Sequence, residues 1–173
     1  MSEAKLLSTR TAYKGKHIQV REDRVIEPAG YEASREIVVH PGVVCIVARP
    51  TPLEVILIRQ YRHAAGRELI EIPAGTLHEG EDPLGCAIRE LEEETGYRAA
   101  KMIERSRFWT TPGFTTEVMY LFEASDLEKT KINPDEDEVI EVDIVHRSAA
   151  LQMIDDGRIQ DAKTILGLLR IFK

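Results

Sequence analysis

Six glutamates fall between Gly75 and Tyr97, and three of them, Glu90, Glu93 and Glu94, are spaced three and four residues apart. On a helix that spacing gathers the carboxylates into one stripe, where like charges repel. Taken alone, such a stripe is what a solvated helix face shows. With only Arg89 interleaved, the stripe calls for a further compensating cation. Hard oxygen donors in this number suit Mg²⁺ or Mn²⁺, ions that keep several waters and take their remaining positions from substrate phosphates. The chemistry they point to is phosphate chemistry at a metal.

The carboxylates need a helix and a loop to hold them. Asp82 is placed to cap the helix, Pro83 to open its first turn, and Gly96 to end it in the left-handed conformation. Leu84, Ala87, Ile88 and Leu91 recur at the spacing of a buried helical face. Before the helix, Pro73, Gly75 and Gly80 require a tight, irregular loop. Glu81 in that loop is placed to pair with Arg89 and tie loop to helix.

Gly75, Glu81, Arg89, Glu90, Leu91, Glu93, Glu94 and Gly96, with a closing large apolar residue at Tyr97, resemble a complete Nudix box. Tyr97 departs from the usual aliphatic residue there, but a ring still fills an apolar slot. The resemblance implies a hydrolase of nucleoside diphosphates linked to another moiety. It implies that Glu90, Glu93, Glu94 and the Ala74 carbonyl hold two or three Mg²⁺ ions, with Mn²⁺ as a substitute, and that Glu93 also takes part in catalysis. Gly75, Glu81, Arg89 and Gly96 are its structural positions.

Upstream, Arg59-Gln60-Tyr61-Arg62 and Glu71-Ile72-Pro73-Ala74-Gly75 resemble segments of the ADP-ribose pyrophosphatase branch. Arg62, and after it Arg59, is the candidate for the diphosphate, because a guanidinium fork matches phosphate oxygens bidentately. Downstream, Pro112 to Glu117 is similar to that branch's loop after the box, making Gly113, Phe114 and Glu117 substrate-binding candidates. Glu117 is suited to accept from ribose hydroxyls. The acidic run Asp135 to Glu138 resembles a mobile family loop whose glutamate swings over the metals. Glu136 is then the expected general base and Glu138 an added metal contact, with Asp135 and Asp137 as competitors. The substrate implied is ADP-ribose, cleaved to AMP and ribose 5-phosphate; a nucleoside diphosphate sugar is the alternative, and a non-catalytic nucleotide-binding module the third. A homodimer that exchanges its N-terminal sheet is also implied, with Lys16, His17 and Glu36 as adenine contacts, or Tyr13 and Tyr31 stacking instead.

The whole chain fits these parts. A length of 173 residues suits one core-forming fold. We expect an α+β fold, an α/β/α sandwich of the Nudix type with a mixed sheet between helices. Residues 1–40 are expected as an antiparallel N-terminal extension for dimerisation, and 41–173 as the hydrolase domain. Strands are expected through 6–39 with a turn at Pro28 and Gly30, then over VVCIVAR, EVILIRQYR, RELIEIPA, AAKMIERSRFW, EVMYLFEA and VIEVDIV. Asp126 to Glu138 reads as a polar loop. A helix capped by Ser148 and ended by Gly157 is followed by a last one over 161–172. A formal charge of -7 argues against a nucleic-acid partner. No apolar run approaches a membrane span, and no secretory signal is legible, so a cytoplasmic protein is expected. Cys45 and Cys86 lie in no metal-type spacing and are expected as reduced packing residues.

Overall fold

A computed structural model describes residues 3–16, 18–131 and 139–173, and the chain falls into two compact units. The first comprises Met1–Gly42 and Phe108–Met119; the second comprises Val43–Arg107 and Tyr120–Lys173. Residues 108–119, which a linear division leaves with the second domain, group with the first.

In the first unit, β1 (Lys5–Lys14), β2 (Gln19–Ile26) and β3 (Glu32–Val39) form an antiparallel sheet in that order. The expected turn between β2 and β3 is closed by bonds from Gly30 N to Glu27 O and from Glu27 N to Tyr31 O, with Gly30 at φ +89. All ten residues of β1 are exposed. The segment 111–117 docks on the end of β3: Val38 N donates to Phe114 O at 2.8 Å, and Thr116 N donates to Val38 O at 3.0 Å. The Thr116 hydroxyl also bridges the backbone N–H and carbonyl of His40.

The second unit divides its strands between two sheets. β5 (Glu54–Arg62) lies between β10 (Ile140–His146) and β6 (Arg67–Glu71), antiparallel to both. The other sheet runs β7 (Ala74–Thr76), β4 (Val43–Ala48), β9 (Val118–Lys129), β8 (Tyr97–Trp109). The tails of β8 and β9 belong to the first unit. Strand β4 is apolar throughout and buried from Val44 to Ala48, because helices cover both its faces. Val44, Ile46 and Ala48 meet α1 (Pro83–Thr95) through Cys86, Ala87 and Leu91. Val47 meets α3 (Ala162–Phe172) where Gly167 lets the backbones approach; a Cβ there would lie 2.9 Å from Ile72 and 3.1 Å from Val47.

The boundaries of α1 are those the sequence predicts. Asp82 accepts from Gly85 N at 3.1 Å, Pro83 opens the helix, and Gly96 closes it at φ +67. Tyr97 packs partly buried against the core. The buried face is rotated from expectation: Leu84 and Ile88 are 42% and 40% exposed, while Glu94 is 1% exposed. Glu94 goes inward because it has a backbone donor to meet, described below. Two further expectations are corrected. Helix α2 (Arg147–Asp155) is capped by the His146 ring, which accepts from Ser148 N, rather than by Ser148. Asp126 to Lys129 continue β9 instead of opening a loop.

Candidate active site

The centre of the site is the corner where β6 passes through Ile72 and Pro73 into β7. A buried corner must satisfy its backbone groups, and here three separate elements do so. Thr164 of α3 accepts from Ile72 N at 2.9 Å, Ile46 N of β4 donates to Pro73 O at 2.9 Å, and Glu94 of α1 accepts from Ala74 N at 2.9 Å. One glutamate of the stripe is thus fixed against the Ala74–Gly75 backbone by its own hydrogen bond.

A second glutamate reaches the same dipeptide by filling the space a side chain would take. A Cβ on Gly75 would lie 1.9 Å from Glu90 Cδ and 2.0 Å from Glu90 Oε1. Gly75 does not have a positive φ, so glycine is required here for room and not for conformation. Glu90 is joined to Glu93 through Arg89, whose Nη1 lies 2.8 Å from Glu90 Oε1 and 2.9 Å from Glu93 Oε2. The same guanidinium binds Glu81, with Nε 3.1 Å from Oε1. This loop-to-helix tie was expected; beyond Glu81, Arg89 also serves two carboxylates of the stripe, Glu90 and Glu93. Arg89 holds the Glu81 carboxyl down to about 2.

These residues fit a divalent cation by donor chemistry: the carboxylates of Glu90 and Glu94 meet one half-buried dipeptide and offer hard oxygens only. Among the described residues, no three His, Cys, Asp or Glu side chains form a ligand group by themselves. An ion such as Mg²⁺ takes a few protein carboxylates and completes its shell with water and phosphate oxygens.

Behind the corner lies a buried charge cluster. Glu71, 1% exposed, accepts from Arg62 through Nε at 2.9 Å and Nη2 at 2.8 Å, and is also bonded by Lys163 Nζ. Lys163 lies 3.0 Å from Asp161, which caps α3 by accepting from Thr164 N. Burial alone would raise the Glu71 carboxyl, but Arg62 and Lys163 outweigh it and hold it below the usual range. Arg62, the expected diphosphate ligand, is therefore oriented by Glu71 with two donors committed to it. Arg59 projects to the other face of β5, three residues on a two-residue repeat, and donates to Asp143 at 2.9 Å. The two arginines do not serve one spot on this sheet.

The sequence reading left Glu71 without a role and missed Lys163 and Thr164. The available signal was a lysine on the otherwise apolar face of an amphipathic helix, one turn before Gly167. Cys45 and Cys86 are buried free thiols, pushed up to about 12 by burial, as packing residues would be.

The remaining candidates divide by unit. Lys16 and Glu36 are exposed in the first unit. Gly113 lies in the turn from Thr111 to Thr115, does not have a positive φ, and a Cβ there would meet nothing within 4 Å. Phe114 is 54% exposed, and Glu117 lies 3.8 Å from the His40 ring. His17 and the acidic run containing Asp135, Glu136, Asp137 and Glu138 lie outside the described residues.

Comparison with known proteins agrees with this geometry. The NUDIX domain profile matches residues 38–167, and that of the nucleoside diphosphate sugar hydrolase N-terminal domain matches residues 5–38. The chain is 40% identical to an ADP-ribose pyrophosphatase of Bacillus subtilis over 94% of its length and 89% of the relative's. It is 38% identical to a methanol dehydrogenase activator of Bacillus methanolicus, over 96% of this chain and 91% of that one. A GDP-mannose pyrophosphatase of Yersinia pestis is 40% identical over 65% of this chain and 61% of its own. The crystal structure of an ADP compounds hydrolase shares the fold, with a TM-score of 0.87 at 21% identity, covering 99% of this chain and 93% of that one.

Proposed function

Because the chain belongs to the NUDIX domain family and is a hydrolase of nucleoside diphosphate derivatives, we propose that its substrate is ADP-ribose, cleaved to AMP and ribose 5-phosphate. The observation that carries this reading is the guanidinium of Arg62, oriented by buried Glu71, in the unit that holds the carboxylate corner of Ala74, Glu90 and Glu94. A planar fork of fixed orientation binds two phosphate oxygens without first ordering its own side chain. Similarity to the B. subtilis ADP-ribose pyrophosphatase along nearly the whole chain supports the choice of substrate.

Glu90, Glu93, Glu94 and the Ala74 carbonyl hold Mg²⁺, two or three ions per site, with Mn²⁺ as a substitute. The bound cation supplies positive charge to the diphosphate and lowers the pKa of a coordinated water. Arg62 neutralises charge developing on the phosphate that leaves. Glu136 takes the proton of the attacking water, and Glu138 adds a metal contact. Arg89 keeps Glu93 in place beside Glu90 while Glu81 anchors Arg89 to the loop. Lys16, His17, Glu36, Gly113, Phe114 and Glu117 contact the nucleoside.

The working form is a homodimer that exchanges its N-terminal sheet; the exposure of β1 along its whole length, Leu6 and Leu7 included, supports this. The compartment is the cytoplasm. No helix among the described residues is long and apolar enough to cross a membrane.

The N-terminal profile and the GDP-mannose pyrophosphatases favour a second reading, a nucleoside diphosphate sugar as substrate. Measuring kcat/KM for ADP-ribose and GDP-mannose with Mg²⁺ separates the two. We expect ADP-ribose to be preferred by at least about tenfold, or about 1.4 kcal/mol of transition-state binding; the reverse ranking would establish the sugar reading.

A further inference from the structure

The second unit contains a cavity of about 360 Å³ whose charged lining has one more cation than carboxylates. Arg49, Lys101, Arg105, Glu123 and Asp126 line it, together with the turn Pro50-Thr51-Pro52. Arg170 of α3 joins Arg49, Arg105 and Glu123 around an adjoining cavity of about 220 Å³.

The cavity is separate from the carboxylate corner. Strand alternation puts Arg49 with Cys45 and Val47, on the α3 side of the sheet, and Glu123 with Leu121 on the same side. Along β4, Arg49 lies four residues beyond Cys45, the register partner of Ala74, which is about 13 Å at strand rise.

The groups here are arranged with donors in excess. Glu123 is buried and takes both arginines: Arg105 Nε lies 2.6 Å from its Oε2, and Arg49 Nη1 bonds its Oε1. Arg49 is further oriented by Pro52 O at 3.3 Å and by the Phe172 ring at 5.7 Å, yet its Nε is buried without a hydrogen-bond partner. In this cavity Arg49, Lys101 and Arg105 stand against the two carboxylates Glu123 and Asp126, leaving one positive charge, with Arg170 of the adjoining cavity a further cation, in a chain whose formal charge is -7. A concave site of inverted sign concentrates anions. Asp126, on the rim, is also the one non-glycine residue with positive φ among the described residues, at 55, the kind of backbone outlier that gathers at ligand sites.

We propose that this cavity is a second ligand site, one that binds a small phosphate monoester through Arg49, Lys101 and Arg105. Guanidinium forks held in orientation by a buried carboxylate suit phosphoryl oxygens, and the volume admits more than a bare phosphate.

The test is a titration of the ¹⁵N-labelled full chain with ribose 5-phosphate, inorganic phosphate or ribose, in EDTA so that the carboxylate corner carries no metal. Ribose 5-phosphate should shift amides of residues 49–52, 101–105 and 123–126 saturably, ribose should not, and inorganic phosphate should bind more weakly. Lys101→Gln and Arg105→Gln should each raise the midpoint by about tenfold, the loss of one charged hydrogen bond. Arg105→Gln also removes a partner from Glu123, whereas exposed Lys101 carries no such burden, so the Lys101 result stands on its own. Hydrolysis in the absence of ribose 5-phosphate should stay within about twofold of wild type in Lys101→Gln. Absence of saturable shifts, shifts confined to residues 74–94, or an unchanged midpoint in Lys101→Gln would overturn the site. Equal midpoints for phosphate and the ester would overturn the ester assignment.

Discussion

Replacing Gly75 by alanine separates the positioning of Glu90 from the stability of the fold. The added methyl would sit 1.9 Å from Glu90 Cδ, about 1.5 Å inside ordinary van der Waals contact. Gly75 does not have a positive φ, so alanine adds no backbone strain, and the atoms it displaces are the end of a flexible side chain. The fold should therefore yield by moving Glu90, with thermal stability changed by no more than about 1 kcal/mol. Catalysis should not be spared, because a displacement of about 1 Å at a reacting centre costs about 100-fold. We expect kcat to fall by about that factor and the Mg²⁺ concentration for half-maximal rate to rise. Gly85 is the control: it lies in α1, and a methyl added there would meet nothing within 4 Å, so Gly85→Ala should stabilise by up to about 1 kcal/mol and leave rate and Mg²⁺ dependence alone. Unchanged kcat and Mg²⁺ dependence in Gly75→Ala, measured beside a normal Gly85→Ala, would refute the placement of Glu90 in the metal site.

Other perturbations probe the remaining supports. Glu94→Gln keeps an oxygen to accept from Ala74 N but loses the charge, so turnover should drop by orders of magnitude with little change in melting temperature; a near-normal rate would remove Glu94 from the site. Lys163→Met leaves Glu71 buried with Arg62 alone, and should cost about 3 kcal/mol in urea unfolding, whereas an unchanged midpoint would mean the pair contributes nothing. Glu81 is depressed from its ordinary 4.5 to about 2 by Arg89. Its contribution to stability is therefore full above 4.5 and is lost as pH falls toward 2. Glu81→Gln should flatten the fall of unfolding free energy across that window, and a slope identical to wild type would contradict the Arg89 pairing.

What the sequence made legible was what neighbours along the chain decide. Asp82, Pro83 and Gly96 mark α1 because capping and the left-handed turn depend on residues a few positions apart, and the Glu81–Arg89 tie spans only eight. Strands β4 and β5 were visible because burial leaves continuous runs of β-branched and other apolar residues in them. The rotation of α1 was not visible: an amphipathic count places Leu84 and Ile88 inward, whereas the Ala74 N–H, twenty residues away in sequence, meets Glu94 in the core. Lys163 pairs with Glu71 across 92 residues, so no local pattern announces it. The opposed directions of Arg59 and Arg62 could have been read from strand alternation once β5 was recognised. The cationic cavity is assembled from Arg49 just past β4, Lys101 and Arg105 of β8 and Glu123 of β9, with Arg170 of α3 at the adjoining cavity, and no local pattern gives reason to single these residues out.

Incubating the purified full chain with ADP-ribose and Mg²⁺, and resolving the products chromatographically, tests the central claim. AMP and ribose 5-phosphate should appear in equal amounts, vanish with EDTA, and be nearly absent with Glu94→Gln. Intact ADP-ribose after prolonged incubation with folded wild-type protein and Mg²⁺, or equal product from Glu94→Gln, would contradict the account.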